Sequence, residues 1–368
     1  MRITYKLFDV FDGSPLSIPV HAPGRWDLHL SQRGSGKHDL VIPIATAFTQ
    51  QQWEESTIPW RHVLCELWDG EPKYAGIIYD KHWSPRRQVL TLDTWTPETL
   101  LQDRYPFGVG SYFTTTFAVT GRSLRGAISD VVQRVTSDPF PQPGQSWLLP
   151  VDLPYLGEAG GYSRDFPNED WRTAQQIIDF FQKLEGGPDF AFIPKLDARG
   201  WLRWDVIVGD PLMPGPTIDL PLSVRTSPAG DVVMHEYGRD MRTGQFVKGE
   251  GFDLRRPFGE AGGEPGPAVA VRDVAQNEVS EDRDLDSIAR ARLRRNRSPI
   301  LQNEVGALRV GNGSGSIHPS AVRIGSRFNS RYSGDGYKRP FTQQLYLTSF
   351  SFDSRSRPDF VSPELQVI

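Results

Sequence analysis

The sequence lacks the features that mark disulfide-bonded, secreted and membrane-embedded proteins. Cys65 is the only cysteine, which excludes an intrachain disulfide and a cysteine-based zinc site. No segment approaches the roughly 20 apolar residues needed to span a bilayer, and Met1–Val10 alternates polar and apolar residues unlike a signal peptide. We therefore expect a soluble protein, without a membrane span, that is made in a reducing cytoplasm. Cys65 lies in the apolar run Val63–Leu67 and is predicted to be a small buried core residue.

A large excess of positive charge is also missing. The formal net charge is −4, whereas proteins that grip nucleic acid usually carry a basic face. The one local basic run is Arg290–Arg297. A weakly acidic chain is compatible with lining a channel through which DNA slides without binding.

Enzyme signatures are absent from the sequence. It contains no P-loop, no G-x-G-x-x-G fingerprint and no G-x-S-x-G elbow. The seven histidines include no pair at the i, i+4 spacing of helical zinc sites. His21 and His29 flank Trp26, but the sequence identifies no third metal ligand for them. We therefore assign no catalytic, cofactor-binding or metal-binding residue and expect a protein that is not an enzyme.

The acidic residues leave one kind of enzyme open, a glycosidase that uses a pair of carboxylates. Acidic residues cluster at Glu54-Glu55 and Glu281–Asp286. A glycosidase pair meets only in the folded protein, so spacing along the chain does not exclude one. Nothing in the sequence singles out two of these acids.

Glycine (35 residues) and proline (30 residues) are abundant and favour short strands joined by turns. Alternating apolar residues predict strands in the first hundred residues, and Asp69-Gly70 predicts a hairpin turn. The predicted strands cover residues 2–9, 26–30, 38–42, 63–68, 73–79 and 88–94. Four tryptophans lie in or beside these strand patterns: Trp26, Trp68, Trp83 and Trp95. Their position favours a structural use of the rings, in a core or an interface.

The middle of the chain has a different pattern. Apolar residues at helical spacing follow Ser123, a candidate N-cap, and a second helix is predicted to begin within Asp170–Thr173. Two strands, Phe190–Ile193 and Trp201–Val208, then flank the turn Asp197–Gly200. These elements predict a small α+β unit.

Strand patterns resume near Asp231. Arg256–Pro267 is predicted to be a flexible loop, and Ser280 begins a helix in which Asp286 and Arg290 are spaced to form an ion pair. The sequence thus predicts a mainly β fold with an α+β insertion. Residues 1–104 form a first barrel-like unit, 105–225 the insertion, and 226–368 a second barrel-like unit with a helix near 280–295.

The order of these pieces resembles the tail hub proteins of long-tailed bacteriophages, also called baseplate hub, tail-associated or minor tail proteins. The segments that carry the resemblance are short, and they span most of the chain: Trp26–Leu30, Asp39–Pro43, Leu64–Gly70, Tyr74–Ile78, Gln88–Asp93, Leu100–Arg104, Thr173–Phe181, Phe190–Trp204, Val279–Leu293, Ile324-Gly325 and Tyr346–Phe352.

The resemblance implies two tail-tube-like β-barrels in each subunit. A homotrimer then presents six barrels to the sixfold end of a tail tube. The implied partners are further copies of this chain, the distal tail protein, the tape-measure protein, other tip or fibre proteins, and viral DNA in transit. The implied location is the tail tip of the virion.

Two other functions stay open. A distal tail protein would form a hexameric ring and need a single barrel. A carbohydrate-binding or cell-wall-degrading tip component would instead require exposed rings or a pair of converging acids.

Overall fold

The computed structural model describes residues 1–41, 49–107, 116–137, 146–224, 226–230, 232–238, 241–249, 256–262, 272–276, 282–297, 300–334 and 340–368. The chain is mainly β, with 43% strand and 18% helix. This confirms the predicted fold class. No helix among the described residues is long and apolar enough to cross a membrane.

The N-terminal part of the chain forms one half of a large curled sheet. Its strands are β1 (Ile3–Asp9), β2 (Gly24–His29), β3 (Ser35–Val41), β4 (His62–Trp68), β5 (Glu71–Ser84) and β6 (Val89–Trp95). They are ordered β1-β4-β5-β6-β3-β2. The predicted turn between β4 and β5 is confirmed, because Asp69 and Gly70 both have positive φ, as a tight hairpin turn requires.

The C-terminal part supplies the other half of the same sheet. Its strands are β12 (Thr217–Pro221), β13 (Val232–Tyr237), β17 (Ile300–Val305), β18 (Leu308–Arg309), β19 (Arg327–Tyr332), β20 (Phe341–Asp353) and β21 (Phe360–Val367). The path continues β2-β20-β21-β17-β13, and β19 joins β20 to β12. Among the described residues, thirteen strands therefore make one continuous sheet, joined at the antiparallel pair β2 and β20.

The remaining described strands form three smaller sheets. Their strands are β7 (Phe117–Arg122), β8 (Val151–Asp152), β9 (Tyr162–Phe166), β10 (Phe190–Leu196), β11 (Leu202–Val208), β14 (Gly244–Lys248), β15 (Phe258–Gly262) and β16 (Arg272–Gln276). The predicted hairpin is confirmed as the antiparallel pair β10 and β11.

Five helices complete the described part of the chain: α1 (Gln50–Glu55), α2 (Thr99–Asp103), α3 (Leu124–Thr136), α4 (Ala174–Lys183) and α5 (Asp282–Asn296). Both predicted starts in the middle region are confirmed. The Ser123 hydroxyl accepts a hydrogen bond from the Gly126 amide, and Thr173 forms a capping box with Gln176.

The largest core lies under the helices. The apolar stripe of α3 packs with α4, the β10–β11 hairpin and the buried face of α5, and residues of β1, β4 and β5 reach the same cluster. A second core is rich in aromatic residues and sits at the β2–β20 joint, where Trp26 meets Phe350 and Phe352. The cores thus cross the predicted boundaries at 104 and 225, and those boundaries stay a proposal.

Two local predictions are wrong. Arg256–Pro267 contains β15, which pairs with β14, and residues 263–267 lie outside the described residues. Gly259 permits this strand to pack on α5, because a Cβ there would lie 2.2 Å from the Leu285 carbonyl carbon.

The predicted ion pair within α5 does not form. Asp286 accepts a hydrogen bond from the Glu260 amide. Arg290 is paired instead with Glu185, which follows α4. Both side chains are thus used in tertiary contacts that sequence spacing does not reveal.

Candidate functional site

A cleft lies where β2, β5, the β10–β11 hairpin and the segment before β19 meet. Its volume is about 410 Å³, within the usual range for sites that bind small molecules or side chains. Leu28, Phe192, Ile193, Ile324 and Phe350 give it apolar walls. The cleft therefore lies between parts of the chain that are distant in sequence.

Glu98, at the start of α2, is the buried polar residue of the cleft. Its side chain lines the cavity although the residue is only 4% exposed. Oε1 accepts a hydrogen bond from the Phe192 amide, 3.2 Å away. Oε2 has no hydrogen-bond partner among the described residues. Removal from water raises the pKa of this carboxyl to about 7, so its neutral form is well populated near neutral pH.

Two basic residues of the cleft already have acidic partners. His29 Nε2 lies 3.5 Å from Asp27 Oδ2, and hydrogen bonding to this carboxylate raises the pKa of His29. Lys195 contacts both Asp152 and Asp205, at 2.7 and 2.6 Å. These cations are balanced within the chain.

Lys73 and Arg323 are less well balanced. The Lys73 side chain is 9% exposed, and its Nζ is 3.7 Å from the exposed carboxylate of Glu71. Burial lowers the pKa of Lys73, and the nearby positive charge of Arg323 lowers it further. The described residues supply no acidic partner within 4 Å for Arg323. This corner of the cleft is therefore electropositive.

A second buried carboxyl lies away from the cleft. Glu66, on β4, is completely buried and accepts a hydrogen bond from the Trp68 indole at 2.8 Å. Burial raises the pKa of Glu66 to about 7. Trp68 itself packs on Phe352, with ring centroids 4.7 Å apart. Glu66 is thus enclosed in the aromatic core rather than presented to a substrate.

The outer face of β5 and β6 carries a charged cluster that the sequence analysis missed. The ligand atoms of Asp80, His82 and Asp93 lie within 4.8 Å of one another. The register could have revealed the proximity, because Asp80 is opposite Asp93. His82 Nε2 is 3.1 Å from Asp93 and 3.4 Å from Asp80, and Lys37 also approaches Asp93. Asp80, His82 and Asp93 form a largely exposed cluster whose donor atoms are close enough together to hold a metal ion.

Four of the other histidines make local contacts. His38 is buried and its Nδ1 lies 3.2 Å from the Ala22 carbonyl, and burial lowers its pKa to about 4. His62 accepts from the Ile58 amide, and His318 caps a short 3-10 helix. His21 lies edge-on to Tyr5, so the structure does not bring it together with His29. His235 lies in β13.

The aromatic residues divide into two groups. Trp26 and Trp68 are buried, which confirms their structural use, and Cys65 is completely buried as predicted. Trp95 stacks on Tyr79 at 3.6 Å. Trp83, in contrast, is 49% exposed and is not a core residue.

The basic run is partly neutralised. Arg290 and Arg294, on α5, both contact the carboxylate of Glu185, at 3.2 and 2.7 Å. The run therefore presents less free positive charge than its sequence suggests. This arrangement does not favour a surface that binds DNA strongly.

Comparison with solved structures shows that the fold is similar to that of tail proteins. No protein-family model matches the chain, and no curated protein matches its sequence. The structure is similar to the 43 kDa tail protein of prophage MuSo2 from Shewanella oneidensis, with a TM-score of 0.59 and 12% identity over 99% of this chain and 98% of that chain. It is also similar to a tail protein from Neisseria meningitidis MC58, with a TM-score of 0.55 and 13% identity over 100% and 96%.

A further similar structure is a chain of the PdpA–VgrG complex of Francisella. Its TM-score is 0.50 and its identity 10%, and the match covers 99% of this chain but 57% of that chain. At such low identities these similarities show the fold. They confirm, at that level, the hub-like resemblance given by the sequence.

Proposed function

We propose that this chain is a structural protein of a bacteriophage tail tip, and that three copies form a pseudo-sixfold ring around a DNA channel. The observation that carries the proposal is the match of almost the whole chain to almost the whole of two tail proteins, one of them from a prophage. The proposed ring joins the distal end of the tail tube to the tip and receptor-binding components. Its proposed partners are further copies of the chain, the distal tail protein and the tape-measure protein.

The continuous sheet supports this assembly. Strands β1 to β6 supply one part of it, β12, β13 and β17 to β21 supply the other, and the two parts are joined by β2 and β20. If each part acts as one tube-like unit, a threefold ring presents six units to a sixfold tube. The predicted insertion, residues 105–225, carries α3, α4 and the β10–β11 hairpin, and also β12 of the large sheet.

One sheet end offers a surface for contact with another copy. β13 ends the path of the sheet, and Val233 on this strand is 49% exposed. A strand edge that no other element covers tends to pair with another chain. Rings are closed by such head-to-tail contacts between different surfaces of identical subunits.

Counting copies in an image reconstruction of assembled tail tips tests the proposal. Three copies around the axis are expected, with both sheet halves facing the tube. Six copies, each contributing one unit to the ring, would instead identify a distal tail protein. A loss of turbidity in a suspension of host cell walls, absent with heat-denatured chain, would identify a wall-degrading component.

A pair of variants tests the sheet edge. Val233→Lys should reduce incorporation of the chain into tails, because it places a charge at the proposed contact. Val41→Lys is the matched control, since Val41 is 52% exposed on the interior strand β3. Equal incorporation of both variants would contradict a contact at β13.

A further inference from the structure

We propose that the cleft beside Glu98 is a binding site for a carboxylate group carried on an apolar stem. Lys73 and Arg323 would contact the carboxylate, and the apolar walls of the cleft would hold the stem. The site does not depend on ring formation, and the isolated chain suffices to test it.

The charges of the cleft select an anion. His29 and Lys195 are already paired with Asp27, Asp152 and Asp205. Lys73 and Arg323 remain as neighbouring cations, with the exposed Glu71 carboxylate 3.7 Å from Lys73. A bound carboxylate would relieve their mutual repulsion, whereas a cationic ligand would increase it.

Glu98 provides the second, independent observation. Its residue is 4% exposed, it lines the cleft, and Oε2 has no partner among the described residues. Burying a polar atom without a hydrogen bond is unfavourable, so a ligand oxygen that accepts a hydrogen bond from the protonated carboxyl restores the missing contact. Burial favours the neutral carboxyl, which has the O–H needed to donate to an anion.

The apolar walls of the cleft restrict the chemistry of the ligand beyond its carboxylate. Leu28, Phe192, Ile193, Val322, Ile324 and Phe350 surround the cavity. A volume of about 410 Å³ accommodates a short hydrocarbon chain or an acidic side chain with an apolar neighbour. Two sources share this chemistry: an acidic peptide segment of a neighbouring protein and a free short-chain fatty acid.

Methyl carbon-13 NMR spectra of the full chain provide the test, with hexanoate as the probe and hexanamide as its uncharged match. Hexanoate should shift the methyl signals of Leu28, Ile193, Val322 and Ile324 in a saturable titration. Hexanamide should produce much smaller shifts. An absence of shifts with hexanoate, or equal shifts with both compounds, would overturn the proposal.

Variants show whether the proposed residues make the contact. Arg323→Gln should weaken hexanoate binding about fivefold, whereas Arg87→Gln, an exposed arginine outside the cleft, should not change it. Glu98→Gln keeps a hydrogen-bond donor and should retain binding within about twofold. Unchanged affinity of Arg323→Gln in a folded protein would contradict the assignment of the carboxylate to this corner.

Peptides separate the two sources. Acetyl-Leu-Glu-Leu-amide is compared with acetyl-Leu-Gln-Leu-amide and with hexanoate. Tighter binding of the glutamate peptide than of hexanoate supports a carboxylate borne by a protein partner. The reverse order supports a free fatty acid, and a glutamine peptide that binds as tightly as the glutamate peptide counts against the carboxylate site.

Discussion

Trp26 lies directly opposite Phe352 in the ladder between β2 and β20, and their ring centroids are 5.5 Å apart. Beside them, the Gly24 amide donates a hydrogen bond to Ser354, 330 residues later in the chain. Trp68 and Tyr74 complete the aromatic contacts around Trp26. Packing at this point therefore holds the two halves of the sheet together.

We predict that Trp26→Ala lowers the free energy of unfolding by about 3–5 kcal/mol, as expected for a large aromatic residue removed from a core. Trp26 is 1% exposed, so its truncation leaves a cavity at the joint of the sheet. Chemical denaturation followed by circular dichroism measures the change. Trp83→Ala is the control and should cost less than about 1 kcal/mol, because its side chain is 49% exposed. Similar losses for both variants would contradict the structural role of the joint.

A second prediction concerns the start of α4. Thr173→Ala should lower the free energy of unfolding by about 1 kcal/mol, because the Gln176 amide loses its acceptor and the reciprocal cap is broken. Thr173→Ser retains the hydroxyl and should recover most of the loss. Denaturation midpoints of the three proteins measure this difference. If the serine variant is as unstable as the alanine variant, the cap is not the source of the effect.

Local patterns predicted most of the elements. The alternation in β1 to β6, the Asp69-Gly70 turn and the capped helices α3 and α4 depend on neighbouring residues, and the sequence contains that information. The predicted structural use of Trp26 and Trp68 was also correct, since both side chains are buried in the core. Each of these features depends on residues that are close to it in the sequence.

Long-range contacts were less predictable. Asp286 and Arg290 have the spacing of an ion pair, but the packing of β15 and Glu185 beside α5 supplies both with other partners. The cleft was missed for the same reason, because Glu98 meets Phe192 only after the hairpin docks. No periodicity of the sequence encodes such docking.

A third prediction concerns the attachment of α5. Arg164 on β9 contacts Asp284 on α5 at 2.7 Å, and their side chains are 17% and 9% exposed. Asp284→Asn should lower the free energy of unfolding by about 2 kcal/mol, because the arginine charge is left without its buried partner. It should also speed amide hydrogen exchange in α5.

The matched control for α5 is Glu185→Gln. This residue pairs with Arg290 and Arg294, whose side chains are 55% and 72% exposed. Exposed pairs contribute little, so a loss below about 1 kcal/mol is expected. Exchange in α5 that is faster in the Glu185 variant than in the Asp284 variant would place the main attachment at the exposed pair instead.

A fourth prediction concerns the pH dependence of stability. Burial raises the pKa of Glu66 from 4.5 to about 7. Between these values the folded protein binds more protons than the unfolded chain, so the free energy of unfolding falls as the pH rises. Below pH 4.5 the Glu66 carboxyl is neutral in both the folded and the unfolded protein, so its burial does not make the stability depend on pH. Above pH 7 it is ionised in both, and burying the charge lowers the free energy of unfolding by up to about 3 kcal/mol. Glu98 contributes in the same direction, because its pKa is also about 7.

Glu66→Gln removes the ionisable group and retains an acceptor for the Trp68 indole. Its free energy of unfolding should therefore fall less steeply than that of the original protein between pH 5 and pH 7. Urea denaturation at intervals of half a pH unit measures both slopes. The exposed Glu55→Gln should retain the original slope. A Glu66→Gln slope equal to that control would show that Glu66 does not titrate in this range, and that burial does not hold its carboxyl in the neutral form.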